Sequence, residues 1–320
     1  MGALAGAVGE LNLTLTFDND KNILYMGCAT KTHVLLYYSE RLFVNAERAD
    51  MNRQKPPKGI EWTRIREPDG TVRPGYTWNP TGGCFHGCTW QMPDGSITEC
   101  YAKTIAERFT TGYPHGFEHH YWRPHSLNAP LKLKEAAGIF VGSMADLFGH
   151  WVPEEQIQQV LDVMALADWH IFQTLSKFPI RLPEFEFPEN VWVGVSLPAG
   201  HLMSATGGAR ALKAYLRHMK RIDTNVRFMS IEPLWFDVAP VFEEWLEEEE
   251  QLPFEWAIIG AASNGSRVFQ PDEGWTGQLL DLLDTQDVPV FFKGNLEWDD
   301  WRDGFPKTDL PNRIPATLTA

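Results

Sequence analysis

Residues 76–109 read YTWNPTGGCFHGCTWQMPDGSITECYAKTIAERF, and this stretch contains three of the four cysteines of the chain, Cys84, Cys88 and Cys100. Glycines surround the first two cysteines, at Gly82, Gly83 and Gly87. Because glycine has no Cβ and tolerates positive φ, it lets a backbone fold closely around a bulky group. A disulfide would leave one of the three cysteines unpaired. The pattern therefore favours a metal centre over a disulfide.

Three kinds of centre fit this pattern. Three thiolates suit an iron–sulfur cluster that keeps one iron open. Structural zinc normally takes four ligands, and one of four histidines could supply the last: His86, His115, His119 or His120. The Cys-x3-Cys-x11-Cys spacing is not the short, paired spacing of zinc fingers. Cysteines buried without a metal are the third interpretation. The spacing alone leaves all three open.

Length and composition bound the class of protein. With 320 residues and 43% hydrophobic content, the chain is long enough for one (β/α) barrel with a sizeable core, which excludes a disordered protein. No apolar run approaches the roughly 18 residues that a membrane span needs. Few cysteines and no basic, then apolar, leader predict a reducing compartment, the cytoplasm.

The charge balance bears on nucleic-acid binding. The formal net charge is −14, so phosphates are repelled by the chain as a whole. Modification of nucleotides or nucleic acid stays open as a function, but the charge gives it no support. A local basic groove stays open, although solvated helix faces are the simpler interpretation of its candidate residues: Lys132, Lys134, Arg210, Lys213, Arg217, Lys220 and Arg221.

The first 58 residues predict a β-rich extension followed by a linker. Apolar and polar residues alternate in three bursts, LNLTLTF, NILYMG and HVLLYY, within residues 11–44. This alternation is typical of a small antiparallel sheet. Cys28 directly follows the second burst, beside Gly27, and we expect it to be a packed thiol. The charged segment 47–59, which contains two prolines, is interpreted as a linker.

In residues 59–320 the sequence pattern changes, and short apolar runs alternate with amphipathic helical stretches. The runs are GIFVGS (138–143), HIFQTLSK (170–177), VWVGVSL (191–197), RFMSIEP (227–233), WAIIGAAS (256–263) and VPVFFKG (288–294). Near-continuous apolar strands that alternate with helices are typical of a parallel sheet covered by helices. The sequence therefore predicts an α/β fold, a full or partial TIM-like (β/α) barrel.

Polar side chains follow these predicted strands where each one ends. In a (β/α) barrel the carboxyl ends of the strands meet on one face, where the active site is built. The candidate site residues are Ser143, Asp146, Gln173, Ser176, Lys177, Ser196, Ser230, Glu232, Ser263, Asn264 and Lys293. We expect them to form one pocket that faces the cysteine loop.

Several stretches resemble one family. They are GIEWT (59–63), TWNPTGGC (77–84), CYAK (100–103), FVGSMADLF (140–148), FQTLSKFPIRL (172–182), NVWVGVS (190–196), RFMSIEPL (227–234), WAIIG (256–260) and VPVFFK (288–293). Together they resemble the phage-associated radical-SAM-like proteins of the "gp thirty-seven/gp sixty-eight" type, a domain of unassigned function. The chain departs from that family in cysteine spacing, because its close pair, Cys84 and Cys88, comes first. The likeness covers residues 59–293.

The resemblance implies a barrel of the radical-SAM type, with a 4Fe–4S cluster on Cys84, Cys88 and Cys100 and S-adenosylmethionine (AdoMet) on the open iron. Its reductive cleavage would give a 5′-deoxyadenosyl radical that abstracts hydrogen from a substrate. The other residues are expected to contact the parts of AdoMet. Asp146 would contact its ammonium group, with Ser143 beside it, and the Gly260 backbone would pass close to its adenine. Ser196 and Glu232 would contact its ribose, and Lys177 or Lys293 would contact its carboxylate or an anionic substrate. Catalytic roles are assigned to Lys177, Glu232 and Lys293 as candidates only.

The expected partners are a small-molecule or nucleotide substrate and an electron donor such as flavodoxin or ferredoxin, in the host cytoplasm if the protein is phage-encoded. Two other functions stay open. One is a zinc-stabilised barrel with His86 as the fourth ligand. The other is a barrel without catalysis that serves as an interaction module.

Overall fold

The structure is a computed structural model, and it describes residues 13–18, 23–28, 31–37, 51–55, 59–67, 69–92, 94–199 and 204–306. The chain divides into two compact units, Met1–Ala49 and Asp50–Ala320. Each unit is considered by itself. The residues between these ranges, part of the predicted linker and the side chain of Cys28 lie outside what is described.

The first unit contains the antiparallel sheet that the alternating bursts predict. Its strands are β1 (Leu13–Asp18), β2 (Ile23–Cys28) and β3 (Lys31–Tyr37), in the order β1-β2-β3. Each neighbouring pair is antiparallel, and the register between β2 and β3 shifts between Met26 and Cys28. The three predicted strands are thus confirmed.

The second unit is built on an eight-stranded sheet. Its strands and those of the small hairpins around it are β4 (Met51–Gln54), β5 (Gly75–Trp78), β6 (Thr81–Gly82), β7 (Thr89–Gln91), β8 (Ile97–Glu99), β9 (Tyr121–Trp122), β10 (Gly138–Val141), β11 (Ile171–Ser176), β12 (Val191–Ser196), β13 (Val226–Ile231), β14 (Trp256–Ile259), β15 (Ala262–Asn264), β16 (Arg267–Phe269) and β17 (Val290–Phe292). The main sheet has the order β17-β14-β13-β12-β11-β10-β5-β4. All its neighbouring pairs are parallel except β4 with β5. Each predicted apolar run forms one of these parallel strands.

The helices are α1 (Tyr101–Arg108), α2 (Ala129–Lys132), α3 (Glu154–Leu166), α4 (Ala205–Met219), α5 (Ala239–Glu248) and α6 (Glu273–Thr285). Four of them connect parallel strands: α3 leads to β11, α4 to β13, α5 to β14 and α6 to β17. Ser204 and Asp272 cap α4 and α6 by accepting hydrogen bonds from the backbone N–H groups of Gly207 and Trp275. Strand–helix alternation in sequence order makes this a partial TIM-like α/β fold. The predicted fold class is therefore confirmed in its partial form.

The two faces of the sheet bury different side chains. Aliphatic residues such as Val193, Met229 and Ile259 face the helices, and their neighbours along each strand point to the other face. Aromatic side chains cover that second face. The centroid of the Trp62 ring lies 4.7 Å from that of Phe140 and 6.3 Å from that of Trp256. We refer to this group as the aromatic layer. Fully burying one such Phe side chain contributes about 1.5 to 3 kcal/mol. The residues before β5 thus seal the concave side.

The boundary between the units differs from the sequence-based one. We predicted a linker to residue 58, but the division falls between Ala49 and Asp50. The physical reason is that β4 pairs antiparallel with β5 from Met51 to Gln54 and closes one edge of the main sheet. A charged four-residue edge strand carries too little apolar pattern to be recognised from sequence.

Within the described part of the chain, no helix combines the length and apolar character that crossing a membrane requires.

His170 is a buried polar group that the fold holds in its neutral form. Its ring is fully buried beside β11, where Nδ1 accepts from the Ala137 N–H (3.2 Å) and Nε2 donates to the Pro130 carbonyl (3.1 Å). Burial is the main cause that lowers the pKa of His170 from 6.5 to about 4. The unfolded chain therefore binds a proton that the folded chain excludes between these two values.

We expect this histidine to make folding pH-dependent. A pKa lowered on folding gives stability that is complete above about pH 6.5 and is lost as the pH falls toward 4. Between pH 7 and pH 5 the loss from this one group is about 2 kcal/mol. Urea unfolding of the wild type and His170→Gln at both pH values is the measurement. The variant should be less stable at pH 7 but should lose about 2 kcal/mol less on acidification, and equal losses would contradict the assignment.

Candidate functional site

The cysteine loop begins at the end of β6 and ends where α1 begins. Gly83 forms a parallel bridge with Ala145, and the Cys84 N–H donates to the Phe117 carbonyl at 3.0 Å. The Cys100 N–H donates to the Cys88 carbonyl at 3.1 Å, which closes the excursion through β7 and β8. These backbone bonds bring the three cysteines of the loop to one place.

Two glycines give the loop its path. Gly83 has φ +82°, and a Cβ there would lie 1.8 Å from the His119 carbonyl oxygen. Gly87 has φ +59°, but a Cβ there would meet nothing within 4 Å. Gly83 is therefore required by close approach as well as by conformation, whereas Gly87 is required by conformation alone.

The three cysteines face a shared space. Cys84, Cys88 and Cys100 are free thiols, and together with His86 they line two adjoining cavities of about 220 Å³ and 110 Å³. The smaller cavity is also lined by residues that follow parallel strands: Ser143, Asp146, Ser176, Lys177 and Ser196. The cysteine loop and the carboxyl edge of the sheet thus enclose one site.

Asp146 joins the loop to the sheet. Its side chain is buried, and Oδ2 accepts from His86 Nε2 (2.7 Å), the Lys177 N–H (2.9 Å) and Ser176 Oγ (3.1 Å). Oδ1 accepts from the Phe148 N–H at 3.1 Å. Burial alone would raise the pKa of this carboxyl, but the hydrogen bond and charge of His86 and the bonds from Lys177 and Ser176 hold it below its usual value. Asp146 is therefore an ionised anchor for the loop.

Burial sets the protonation of the thiols. It raises the pKa of Cys84 to about 12, with the charge of Asp146 as the next cause, and it also raises the pKa of Cys88. Both groups are neutral thiols at pH 7 in the metal-free protein. A metal centre at this site would bind with release of protons, because only the thiolate is a ligand.

Lys177, Ser196 and Ser143 complete the cavity wall. Lys177 Nζ donates to Ser196 Oγ at 2.8 Å, so the ends of β11 and β12 are joined at this point. Ser143 Oγ contacts the amide of Asn79, and the Ser143 carbonyl accepts from the Tyr101 hydroxyl at 2.5 Å. The segment that carries Asp146 is thereby tied to both β5 and α1.

Glu232, Gly260 and Lys293 form a neighbouring cluster at the ends of β13, β14 and β17. Lys293 Nζ pairs with Glu232 Oε1, and both side chains are about one quarter exposed. A Cβ on Gly260 would lie 3.0 Å from Glu232 Cγ and 3.2 Å from Lys293 Cδ. These predicted site residues therefore lie at one edge of the sheet but in two groups, of which only the first lines the cysteine cavities. The prediction was wrong for Gln173, which is buried within β11 and whose Nε2 donates to the Trp62 carbonyl at 3.2 Å. Ser263 and Asn264 lie on the separate β15–β16 hairpin.

The contact between His86 and Asp146 was missed by sequence reasoning, which considered His86 only as a zinc ligand. The two side chains are 60 positions apart, although the place of His86 between two cysteines marked it as part of the site. Among the described residues, no three His, Cys, Asp or Glu side chains are arranged around a point that could hold one metal ion.

Comparison with models of protein families shows which family the chain belongs to. Residues 59–308 match the model of the family described as "Protein of unknown function (DUF5131)". The chain belongs to this family. The match begins three residues before Trp62 and includes every cysteine of the loop. The DUF5131 domain therefore comprises most of the second unit.

Among curated proteins, none matches this DUF5131 chain. Two solved structures of spore photoproduct lyase are distantly similar. One, a variant with bound AdoMet and dinucleoside spore photoproduct, has a TM-score of 0.40 and 9% identity, and the other, complexed with dinucleoside spore photoproduct, has 0.38 and 8%. Each alignment covers 71% of this chain and 65% of the other, so the chain spans about two thirds of the length of these structures.

The two loop glycines provide a matched test of the site geometry. Gly83→Ala combines a left-handed φ with a collision against backbone, and we expect it to lower the free energy of unfolding by about 2 to 5 kcal/mol. Gly87→Ala adds only the conformational term, about 1 to 2 kcal/mol. Urea denaturation of both variants measures the difference. Equal losses of unfolding free energy in the two variants would mean that a Cβ at position 83 does not collide with the His119 carbonyl.

Proposed function

We propose that this protein is a radical AdoMet enzyme in which Cys84, Cys88 and Cys100 hold a 4Fe–4S cluster and AdoMet binds at the open iron. The observation that carries the proposal is the convergence of three free thiols on adjoining cavities at the carboxyl edge of a parallel sheet. The proposed activity agrees with the resemblance to phage-associated radical-SAM-like proteins, which stays a prediction.

The ligand set of the loop favours a cluster over a single zinc ion. Structural zinc normally takes four ligands, and the loop supplies three thiols. Three thiolates suit a 4Fe–4S cluster that keeps one iron open. The cavities that these thiols line, about 220 Å³ and 110 Å³, adjoin one another.

When bound and reduced, the cluster would cleave AdoMet and supply a carbon-centred radical for hydrogen abstraction. The residues of this chain bind and orient the reactants and exclude water. Lys177 presents a cation in the cysteine cavity, where it can pair with the carboxylate of the methionyl group. Ser196 and Ser143 offer hydroxyl groups on the same wall, and the Glu232–Lys293 pair lies at the adjacent strand ends.

Asp146 is proposed to contact the AdoMet ammonium, but it also has a structural task. Each of its oxygens already accepts a bond from the protein, so an ammonium group would share an oxygen with His86, Ser176, Lys177 or Phe148. Substituting Asp146 would therefore disturb the loop as well as the ligand. Lys177 gives the cleaner test, because its bond to Asp146 comes from the backbone.

A zinc site is the second candidate, and one contact favours it. Histidine ligands of zinc usually place their other ring nitrogen on a carboxylate, as His86 Nε2 does on Asp146. His86 keeps Nδ1 as its remaining ligand atom and lines both cavities with the cysteines. Zinc would then stabilise the barrel. A barrel that binds neither metal would be an interaction module.

An electron donor such as flavodoxin or ferredoxin is part of the proposal, since the cluster must be reduced. Helix α1 and the residue that follows it carry an apolar stripe at intervals of four residues. Its members are Tyr101, Ile105 and Phe109, whose exposed fractions are 56%, 36% and 63%. Exposed apolar side chains in a row mark interaction surfaces more often than isolated ones do. This stripe is the proposed docking position.

The cluster hypothesis predicts iron uptake. Full-length protein reconstituted anaerobically with iron and sulfide should bind about four irons per chain and absorb broadly through the visible range. Cys84→Ala, Cys88→Ala and Cys100→Ala should each abolish this uptake, because each removes one of three ligands. Iron analysis and absorbance spectra are the measurements.

Cys28→Ala is the matched control and should take up iron as the wild type does. Stoichiometric zinc with no iron uptake would favour the zinc-stabilised barrel. If the protein takes up neither iron nor zinc, the interaction module is the remaining hypothesis.

AdoMet binding should depend on the Lys177 side chain. A charge-assisted hydrogen bond contributes about 1.5 to 3 kcal/mol, so Lys177→Met should weaken AdoMet binding by about 10- to 150-fold. Calorimetric titration of cluster-loaded protein measures this, with Lys213→Met as the control because Lys213 pairs with Glu244 on the helical surface. Iron content should be unchanged in both variants. Equal AdoMet affinity in wild type and Lys177→Met would remove Lys177 from the binding site.

A further inference from the structure

A second, larger cavity lies beside the cysteine loop. It has a volume of about 700 Å³, within the range of small-molecule sites. One wall is the hairpin of β7 and β8, inserted between Cys88 and Cys100, and Trp90 of that wall follows Cys88 by two residues. The segment after Glu232, the β15–β16 hairpin and the start of α6 form the other walls. We refer to this cavity as the aromatic chamber.

Aromatic rings from four separate elements line the chamber. They are Trp90 on β7, Trp235 after β13, Phe269 on β16 and Trp275 on α6, and all four are half-buried. In the described residues, no ring contact joins any two of these four. The rings therefore stand on separate walls, with open volume between them. Rings so placed can stack on a flat group that enters the chamber.

The charge of the chamber excludes an anionic group inside it. Its lining contains no Lys or Arg, and its one charged residue is Asp272. Asp272 is already used as the cap of α6, where its Oδ1 accepts from the Trp275 N–H at 3.1 Å. Arg267 lies near the rim, paired with Asp94 and over the Phe269 ring. A phosphate would find no cationic side chain within the walls.

One polar group in the wall has no protein partner. The indole N–H of Trp90 is shielded from solvent and donates to no acceptor among the described residues. The indole of Trp235 is satisfied, because its N–H donates to the Pro198 carbonyl at 2.9 Å. Leaving a buried donor unpaired costs about 1 to 3 kcal/mol, so a turn of the Trp90 ring that brings its N–H to a ligand carbonyl in the chamber would relieve that cost.

We propose that the aromatic chamber binds the base of an uncharged nucleoside, a planar heteroaromatic ring with a carbonyl acceptor, as the substrate-recognition part of the proposed enzyme. The rings would stack on the base, and the Trp90 ring would turn so that its N–H bonds the base carbonyl. The inference rests on the proposed function for its reaction, although the binding itself requires no cluster.

Two contacts hold the chamber closed on one side. Arg267 pairs with Asp94 at 2.6 Å, and Asn264 Nδ2 lies 3.3 Å from Ser96 Oγ. These contacts connect the β15–β16 hairpin to the β7–β8 hairpin of the cysteine loop. A ligand in the chamber would therefore touch the hairpin that connects Cys88 to Cys100.

Calorimetric titration of the full-length protein with uridine, cytidine, adenosine and guanosine tests the proposal, with iron content measured on the same samples. Ribose is the sugar control, and choline is the rival ligand because aromatic walls also bind quaternary ammonium groups. Base–aromatic stacking predicts that Trp90→Leu and Trp275→Leu each weaken nucleoside binding by about 5- to 150-fold. Trp90→Phe keeps the ring and should lose about 2- to 10-fold, from the N–H alone.

Trp301→Leu is the matched control, because Trp301 is a tryptophan with an exposed fraction of 51% that lies outside the chamber. It should bind nucleosides as the wild type does, and thermal unfolding identifies any variant that is misfolded. Binding of choline but no nucleoside, nucleoside binding unchanged in both leucine variants, or no binding by wild type would each overturn the proposal. Iron uptake without nucleoside binding would reject the chamber alone. Nucleoside binding without iron uptake would reject the cluster and keep the chamber.

Discussion

The buried carboxylate of Asp146 is the contact on which the candidate site depends. Its two oxygens accept bonds from His86 in the cysteine loop, from Ser176 and Lys177 at the end of β11, and from Phe148. An ionised carboxylate in this position requires several donors, since burial without them would neutralise it. The same bonds hold the loop over the sheet edge. One buried charge therefore fixes the place of the loop that carries the three thiols.

The sheet makes this placement possible, because parallel strands end at one edge. The aromatic layer around Trp62 fills the concave face and leaves the site at the rim of the sheet. At the rim, the cysteine cavities and the aromatic chamber share one connection, the β7–β8 hairpin between Cys88 and Cys100. A reactive centre on one side of this hairpin and a flat ligand on the other would be coupled through a few residues of backbone.

Much of the fold could be predicted from sequence, and the limits have physical causes. The apolar runs predicted the parallel strands, and the polar residues that end them, such as Lys177 and Ser196, do lie at one edge. The bond between His86 and Asp146 could not be predicted, because it joins distant segments through a backbone path set by Gly83. Nor could the chamber, whose Trp90, Trp235 and Trp275 share no periodicity. Strand β4 was read as linker because pairing with β5, rather than its own pattern, makes it a strand.

The central claim is that the loop cysteines bind one centre together, and alkylation of each cysteine tests it most directly. Wild-type protein is reconstituted anaerobically with iron and sulfide and treated with iodoacetamide, and peptide mass spectrometry then reports the modified fraction of each thiol. The account predicts that Cys84, Cys88 and Cys100 are protected together while iron is bound. All three should react once the iron is removed and the protein is unfolded in urea, because burial keeps Cys84 and Cys88 neutral in the folded metal-free protein. A protein that keeps its iron while any one of these three cysteines remains reactive would contradict it.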